Sequence, residues 1–494
     1  MAKFIDSLFP QLALNRMKVE AVERYYAAAQ ETDYHRTPRG GNASADSVMD
    51  NAKGKLREIA RVLDENHDLA TGILNDLVTK SIGSGLQVEP MVKSSSGKLM
   101  ERVNKEILRL WLDWSNRPEV TRELHWCDVQ RLVFRTWLRD GEILTQLVNS
   151  DNRLRVPSEV KFSLELLEAD YLPFDYIYQQ DGRNIVHGVE KDAWGRPIAF
   201  HLLKEHPGNS LTSINSFKTT FETKRVRADD IIHTKYVKRI RQTRGVTIFH
   251  SILERLENLA DYENSEQIAA RIAASMAMAI TRSDAFPMTG VGRDGSTKMD
   301  IKPGIVFDQL LPGEKIESIG TERPNTNMQS YRDSMMRAAA AGTGTNASSI
   351  SKKYDGNYSS QRQELVESDP AYAGYRKTFI EHFLQPVYQR FVELAVMQGK
   401  LTIPRSTDMQ SLYHPAWSQP AVAWIDPKKE MEAMQIAVNS RFTSRSAVIR
   451  KRGEDPDVVD NEIEQDDFQP VAPVQPDKQA DENTDDENTD EVAA

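Results

Sequence analysis

A chain of 494 residues is long enough for about three domains, and its single cysteine, Cys127, excludes an intramolecular disulfide framework and a cysteine-rich zinc site. The formal net charge of −10 is unevenly placed: residues 454–494 hold sixteen acids and one lysine, leaving 57 acids and 62 bases on the remainder. A mildly basic body with an acidic tail suits weak contact with nucleic acid and falls short of the charge of a tight binder. The most apolar window, 268–280, contains Arg271 and is shorter than the roughly 20 apolar residues a membrane span needs. No membrane partner is therefore expected. The opening residues, interrupted by Asp6 and Pro10, lack the apolar run of a secretory signal, which with the single cysteine fits a soluble chain made in a reducing cytoplasm.

In chain order, residues 13–31 predict an amphipathic helix and 35–44 a linker. A second helical run covers 47–79, with Leu56, Ile59, Val62 and Leu63 on one face, ended by Gly83 and Gly85. Further helices are predicted over 99–114 and 127–138, where Trp111, Trp114, Trp126 and Trp137 read as core. From Glu142 to about Val237 the period changes to two: Phe162, Leu164 and Leu166 alternate, as do Ile185, His187 and Val189, then Ile198, Phe200 and Leu202. Asp192–Arg196 reads as a hairpin loop and His187 as a packed strand residue. Lys235, Lys238, Arg239, Arg241 and Arg244 form the densest basic cluster, either a solvated face or a set of phosphate contacts.

Residues 246–281 carry the longest helical signal, about 54 Å at 1.5 Å per residue. Its second half is rich in small residues, Ala269, Ala270, Ala273, Ala274 and Ala277, which let neighbouring helices approach closely. The partner is either the same helix in adjacent subunits or the core of a monomer. Residues 282–325 are rich in Gly, Pro and Lys, with β-like pieces at 298–307 and 314–319, and 326–342 return to helix. A polar run with the pair Lys352–Lys353 leads to the turn Asp355-Gly356-Asn357 and to a helix capped by Ser360 and Gln363. Pro370 and Pro386 should kink that helix, which runs to about Met397. Residues 403–426 read as a connection and 427–452 as an amphipathic helix broken near Asn439-Ser440. The tail from about Glu464 has no core-forming pattern and is expected to be disordered.

No catalytic constellation emerges. Gly290–Gly295 followed by Lys298 misses the phosphate-loop spacing by two residues and lacks the flanking strand and helix. There is no zinc-protease helix motif, no nucleophile elbow and no complete calcium loop. No enzyme activity, cofactor or metal is expected.

The stretch Tyr354–Glu367, YDGNYSSQRQELVE, resembles the signature of the lambda family of tailed-phage portal proteins. The same resemblance runs in order through Ser84–Val88, Asp140-Gly-Glu142, Leu164–Tyr171, His187–Glu190 with Gly195–Pro197, Arg244-Gly-Val246 and Leu311–Glu314, covering roughly residues 50 to 455. It implies a mainly helical α+β portal fold with wing, stem, clip and crown regions, in a dodecameric ring around a channel for double-stranded DNA. The regions would fall at 1–45 (N-terminal helix and linker), 46–245 (wing), 246–281 (first stem helix), 282–325 (clip) and 326–342 (second stem helix). The tunnel loop would span 343–358, the long kinked helix 359–399, the wing/crown helices 400–463 and the acidic tail 464–494. Residues 344–351 are more polar than is usual before this family's signature. Lys352, Lys353, Asn357 and Arg362 become channel-facing DNA contacts, without sequence preference because phosphates carry none. The implied partners are the terminase large subunit, major capsid and scaffold proteins, and head-completion and tail adaptor proteins. The alternative from the residues alone is a nucleic-acid-binding regulator without ring assembly. That reading calls for a concentrated basic reading module, which the sequence does not display.

Overall fold

The computed structural model describes residues 43–52, 54–149, 156–180, 182–209, 222–275, 279–282, 314–317, 327–354, 358–418, 427–452, 454 and 456–466. The expected helix at 13–31, the β-like piece at 298–307, the near-phosphate loop at 290–298, Asn357, Ala277 and most of the acidic tail lie outside them. Contacts divide the chain into two units, Met1–Pro420 and Ala421–Ala494.

The first unit begins with α1 (Ala45–Ala52), α2 (Lys55–Asn66) and α3 (Asp68–Ser81) where one helical run over 47–79 is expected. The breaks are local. Gly54 precedes α2, and His67 adopts an extended conformation (φ −120°, ψ 114°) that closes α2 while its ring accepts the Leu69 N–H at the start of α3. Of the expected face, Leu63 is buried and Leu56 and Ile59 pack partly against the core, whereas Val62 is 53% exposed and Ala60 is buried in its place. Strand β1 (Val88–Glu89) leads to α4 (Glu101–Ser115) and α5 (Trp126–Asp140), each within two residues of its expected bounds. The rings of Trp111, Trp114 and Trp126 lie 4.8–5.5 Å apart, and Trp137 joins through Phe134 and Phe379. Trp114 donates its indole N–H to the Phe162 carbonyl (3.0 Å), so its polar edge is satisfied as well as its faces.

The antiparallel module forms two sheets. In the first, β2 (Glu142–Asn149) lies between β3 (Phe162–Glu168) and β9 (Ile231–Lys235). In the second, β4 (Tyr178–Gln180), β5 (Arg183–Val186), β6 (Val189–Lys191), β7 (Pro197–Leu203) and β8 (Thr223–Arg227) follow in chain order. Strand β2 serves two cores because successive side chains point to opposite faces. Ile143 and Leu147 join the helical core, while Leu144 joins Leu167, Phe200, Leu202 and Val226 in a smaller one. The Asp192–Arg196 hairpin loop forms as expected, closed by the Asp192 N–H on the Arg196 carbonyl.

His187 is fully buried, as expected of a packed residue, but it does not lie in a strand. Val186 pairs with Val189, so His187 (φ 52°) and Gly188 (φ 80°) form the two-residue turn between β5 and β6 rather than the middle of one strand. Alternation across 185–189 concealed the turn: a two-residue turn puts Val186 and Val189, three apart in sequence, opposite each other on one face, and a period-two pattern of residue types does not report that reversal.

The long helix is shorter than expected. A 3₁₀ turn at Ile248–Ser251, capped by Thr247 Oγ on the Phe249 N–H, precedes α6 (Leu253–Ser275). The β-branched residues Val246, Thr247, Ile248 and Ile252 weaken helix propagation there. Strands β10 (Ala279–Arg282) and β11 (Glu314–Glu317) then pair antiparallel, and α7 (Met328–Thr343) runs back beside α6.

The expected loop at 343–358 is partly helical: Gly344 in the left-handed region ends α7, α8 (Ala347–Ser351) follows, and Lys352 (φ 55°) ends α8. Helix α9 (Tyr358–Phe379) starts two residues before Ser360, which therefore sits inside the first turn and not at the cap. Pro370 lies within α9. Pro386 is accommodated by a widened π turn, Ile380–Leu384, closed by the Gln385 N–H on the Ile380 carbonyl, before α10 (Gln385–Met397). The wide turn replaces the hydrogen bond that proline cannot donate. Helix α11 (Met409–Leu412) and β12 (Ala416–Trp417), which pairs with β1, complete this unit.

The second unit contains α12 (Pro427–Asn439), α13 (Arg445–Lys451) and α14 (Pro456–Gln465). The break at Asn439-Ser440 falls where expected, with Arg441 at φ 58°.

Candidate nucleic-acid interface

Lys352 and Lys353 follow a buttressed helix turn. Glu364 on α9 accepts the Ser348 N–H (3.1 Å) and hydroxyl (2.6 Å), tying α8 to α9. From the other side Lys80 on α3 donates to Ser349 Oγ (2.5 Å), pairs with Asp76 (3.0 Å) and sits 5.1 Å above the Tyr372 ring. Tyr372 donates its hydroxyl to Asp76 (2.5 Å). Burial, and then the Asp76 carboxylate, push the Tyr372 phenol well above its ordinary range, so it remains a donor. Nearby, Arg376 donates to the Ser81 carbonyl (2.8 Å); burial lowers its pKa and Asp369 opposes that shift. The polar run 344–351 is thus a docked element whose serines meet specific partners.

The two lysines differ. Lys352 is exposed in a left-handed conformation, whereas the Lys353 ammonium lies 3.4 Å from Asp333 on α7. Arg362 is exposed on the first turns of α9. Between α7, α8 and α9 lies a cleft of about 900 Å³ floored by Ala340, Gly344 and Ala371, with Arg337, Lys353 and Glu367 at its polar edge.

The basic cluster at 235–244 does not hold together as a surface. Arg244 is fully buried: it contacts Glu142 (2.7 Å), donates to the carbonyls of Leu172 (2.7 Å) and Ala169 (2.9 Å), and lies 4.0 Å above the Phe174 ring. Lys235 turns inward and donates to the Gln242 and Thr243 carbonyls (2.9 and 3.0 Å); burial pulls its pKa down, against the pull of Glu142. Neither is a solvated charge or an open phosphate contact. Lys238, Arg239 and Arg241 alone of the five are exposed.

Arg244 belongs to a buried charge network that brings together three of the stretches in the ordered set of motifs: Asp140–Glu142, Leu164–Tyr171 and its own. Burial alone would raise the Glu142 pKa, but Arg244 and then His233 (2.9 Å) overcome it and hold the carboxyl well below the usual range. Burial holds His233 below its ordinary pKa, so as a neutral ring it donates its Nε2–H to Glu142. Arg57 bridges toward Asp170 (3.0 Å), and Arg61 joins Asp170 (2.7 Å) to Asp140 (2.6 Å). Backbone contact is equally close: a Cβ on Gly245 would stand 2.0 Å from the Gly141 carbonyl oxygen. These residues hold the helices to the sheets.

Among the described residues, Glu168, Asp170 and His206 form the one group of three side chains close enough to share a metal ion. Arg57 and Arg61 already supply positive charge to Asp170, and Arg61 lies 3.4 Å from Glu168, so guanidinium groups take the role a cation would play.

The small-residue seam is described only at its start. Ala269 is half-buried and Ala270 exposed, while the side chains of Ala273, Ala274 and Ala277 fall outside the described residues. Between residues 260 and 271 only Glu266 is buried, and Ile268 is 55% exposed. The described start of that seam lies outside the buried core of the chain.

A family described as phage portal protein, lambda family, matches residues 33–376, and the chain belongs to that family. Its mainly helical α+β architecture is the portal fold of a phage head-to-tail connector. A probable portal protein of Halomonas phage phiHAP-1 is 25% identical over 91% of this chain and 87% of its own length. The portal proteins of Escherichia phage N15 and Escherichia phage lambda are 21% and 20% identical over 43% of this chain, covering 46% and 45% of their own lengths. Among solved structures, a chain from the neck of a native gene transfer agent particle has a TM-score of 0.41 at 12% identity, covering 81% of this chain and 94% of that one. No helix among the described residues is long and apolar enough to cross a membrane.

Proposed function

We propose that this portal protein assembles into a closed ring, a dodecamer, at one vertex of a phage head, and that viral double-stranded DNA is packaged and ejected through its channel. The observation that carries this reading is the exposure of α6 over residues 264–271, where Glu266 alone is buried and Ile268 is 55% exposed, a stretch that calls for copies of itself as partners. The membership of residues 33–376 in the portal family supports it. In this reading 246–281 and 326–342 form the stem, 282–325 the clip and 343–358 the tunnel loop. The docked α8 would present Lys352, Lys353, Asn357 and Arg362 to passing phosphates. Each fixed contact would add salt-dependent affinity, so a few are better suited to a sliding duplex than many.

The ring would dock the terminase large subunit, which supplies ATP hydrolysis, and would meet major capsid, scaffold, head-completion and tail adaptor proteins. The chain would be a non-enzymatic part of the virion, made in the host cytoplasm.

Negative-stain microscopy and native mass measurement of the purified full chain test the reading. Closed rings are expected, and replacing Ala273 and Ala277 with bulky residues should impair them. Monomers or dimers at every concentration would favour a nucleic-acid-binding regulator instead.

A further inference from the structure

The loop that follows β9 displays an apolar residue between cations. Ile240 is 93% exposed, flanked by the exposed Lys238, Arg239 and Arg241. The loop is braced from within. The buried Gln242 accepts the Lys238 and Arg239 N–H groups (3.0 and 3.2 Å) and donates to the Arg244 carbonyl (2.7 Å). Arg241 completes the bend at φ 62°, and Thr243 is held by Asp46 (2.7 Å). A rigid finger loses little entropy on docking, and an isoleucine fully in water gains most from being covered.

A complementary surface lies on the same chain. Glu254, Glu257 and Asp261 are exposed on α6 at spacings of three and four, which place them on one helix face, and Ile268 continues that line. No ion pair forms at Arg239, Arg241 or these three acids among the described residues. A closed ring of identical subunits needs two different patches per copy, each fitting the other on its neighbour. We infer that the Lys238–Arg241 finger of one subunit docks on the acidic face of α6 in a second copy of this chain, forming part of a head-to-tail interface. Duplex DNA would also attract the cations, but phosphates give no reason to hold an isoleucine at the tip. The inference rests on the ring reading.

Two charge reversals test it, each in the full chain: Arg239→Glu with Arg241→Glu, and Glu257→Lys with Asp261→Lys. Alone, each places like charges across the contact and should raise the protein concentration needed for half-assembly at least about tenfold. Mixed in equal amounts they should restore rings, with the two variants alternating, because each reversed finger then meets a reversed stripe. Restoration also shows that both variants fold. If wild-type protein forms no rings, the ring reading falls and the inference with it. If wild-type protein forms rings and the single reversals assemble equally well, the inference alone falls. It is also overturned if both variants keep the wild-type denaturation midpoint yet the mixture stays unassembled. Normal rings with lost binding to a short duplex in the finger variant would reassign the finger to DNA.

Discussion

The Arg244 guanidinium and the Glu142 carboxylate, 102 residues apart in sequence, meet at 2.7 Å with both groups buried. This pair sits where β2, the segment before α6 and the β3–β4 connection converge, so its loss should be felt across the first unit. Glu142→Gln leaves Arg244 without its counter-charge, and breaking a buried pair on one side costs about 3–5 kcal/mol. Chemical denaturation of the variant should show a loss in that range at pH 7; a change under about 1 kcal/mol would mean that the pair is dispensable.

The same carboxyl makes stability depend on pH. Arg244 and His233 lower the folded-state pKa of Glu142 against the opposing effect of burial, while the unfolded chain binds that proton near the ordinary glutamate value of about 4.3. Its contribution is therefore present above that pH and is lost progressively as pH falls toward the folded pKa. The stability gap between wild type and Glu142→Gln should be constant from pH 6 to 8 and should narrow below about pH 4.3. A gap that stays constant through pH 3 would show that the carboxyl is not the source.

The close approach of Gly141 and Gly245 has no room for side chains. Gly141 has a φ of +87°, and a Cβ there would stand 2.3 Å from the Val246 carbonyl carbon. Gly141→Ala and Gly245→Ala should each cost about 3 kcal/mol or more, through overpacking and, at Gly141, backbone strain. Soluble, cooperatively unfolding variants with wild-type midpoints would contradict this.

Lys352 offers a substitution that separates charge from fold. Its left-handed conformation at φ 55° is one that glycine adopts freely, so Lys352→Gly should leave stability unchanged or raise it by about 1 kcal/mol. Under the proposed function the same change should weaken retention of packaged DNA, most at low salt where phosphate contacts count most. Lys353→Ala should weaken retention less, because that ammonium is shared with Asp333. The measurement is a packaging assay over a salt series with ring assembly checked by microscopy; wild-type retention in Lys352→Gly throughout would remove the residue from the channel contacts.

Tyr372→Phe removes the hydroxyl that bonds Asp76 but keeps the ring beneath Lys80. Lys80 still neutralises Asp76, so the loss should be about 1–2 kcal/mol, the range for a hydrogen bond to a charged group. Hydrogen exchange should show α8 opening more readily. Unaltered exchange across 347–351 would mean that the Ser348–Glu364 and Lys80–Ser349 contacts hold it without the Tyr372 hydroxyl.

Period and spacing along the chain determined the kinds of element and most of their order: the helices around the tryptophans, the change to strand at Glu142, the hairpin at Asp192–Arg196 and the break at Asn439-Ser440. The ordered short motifs determined the family, because each holds its place among the others even where single matches are weak. Only the tertiary structure decided what the charged and irregular residues do. A run such as Lys235–Arg244 looks uniform in sequence, yet the ion pair with Glu142 and the carbonyls of Ala169 and Leu172 draw Arg244 into the interior. Lys80 reaches Ser349 across 269 residues. Alternation likewise could not separate the His187 turn from a strand, and helical spacing could not tell that most of the described second half of α6 stands outside the core. Local pattern reports the direction in which a side chain points; burial and charge pairing depend on what the fold brings to meet it.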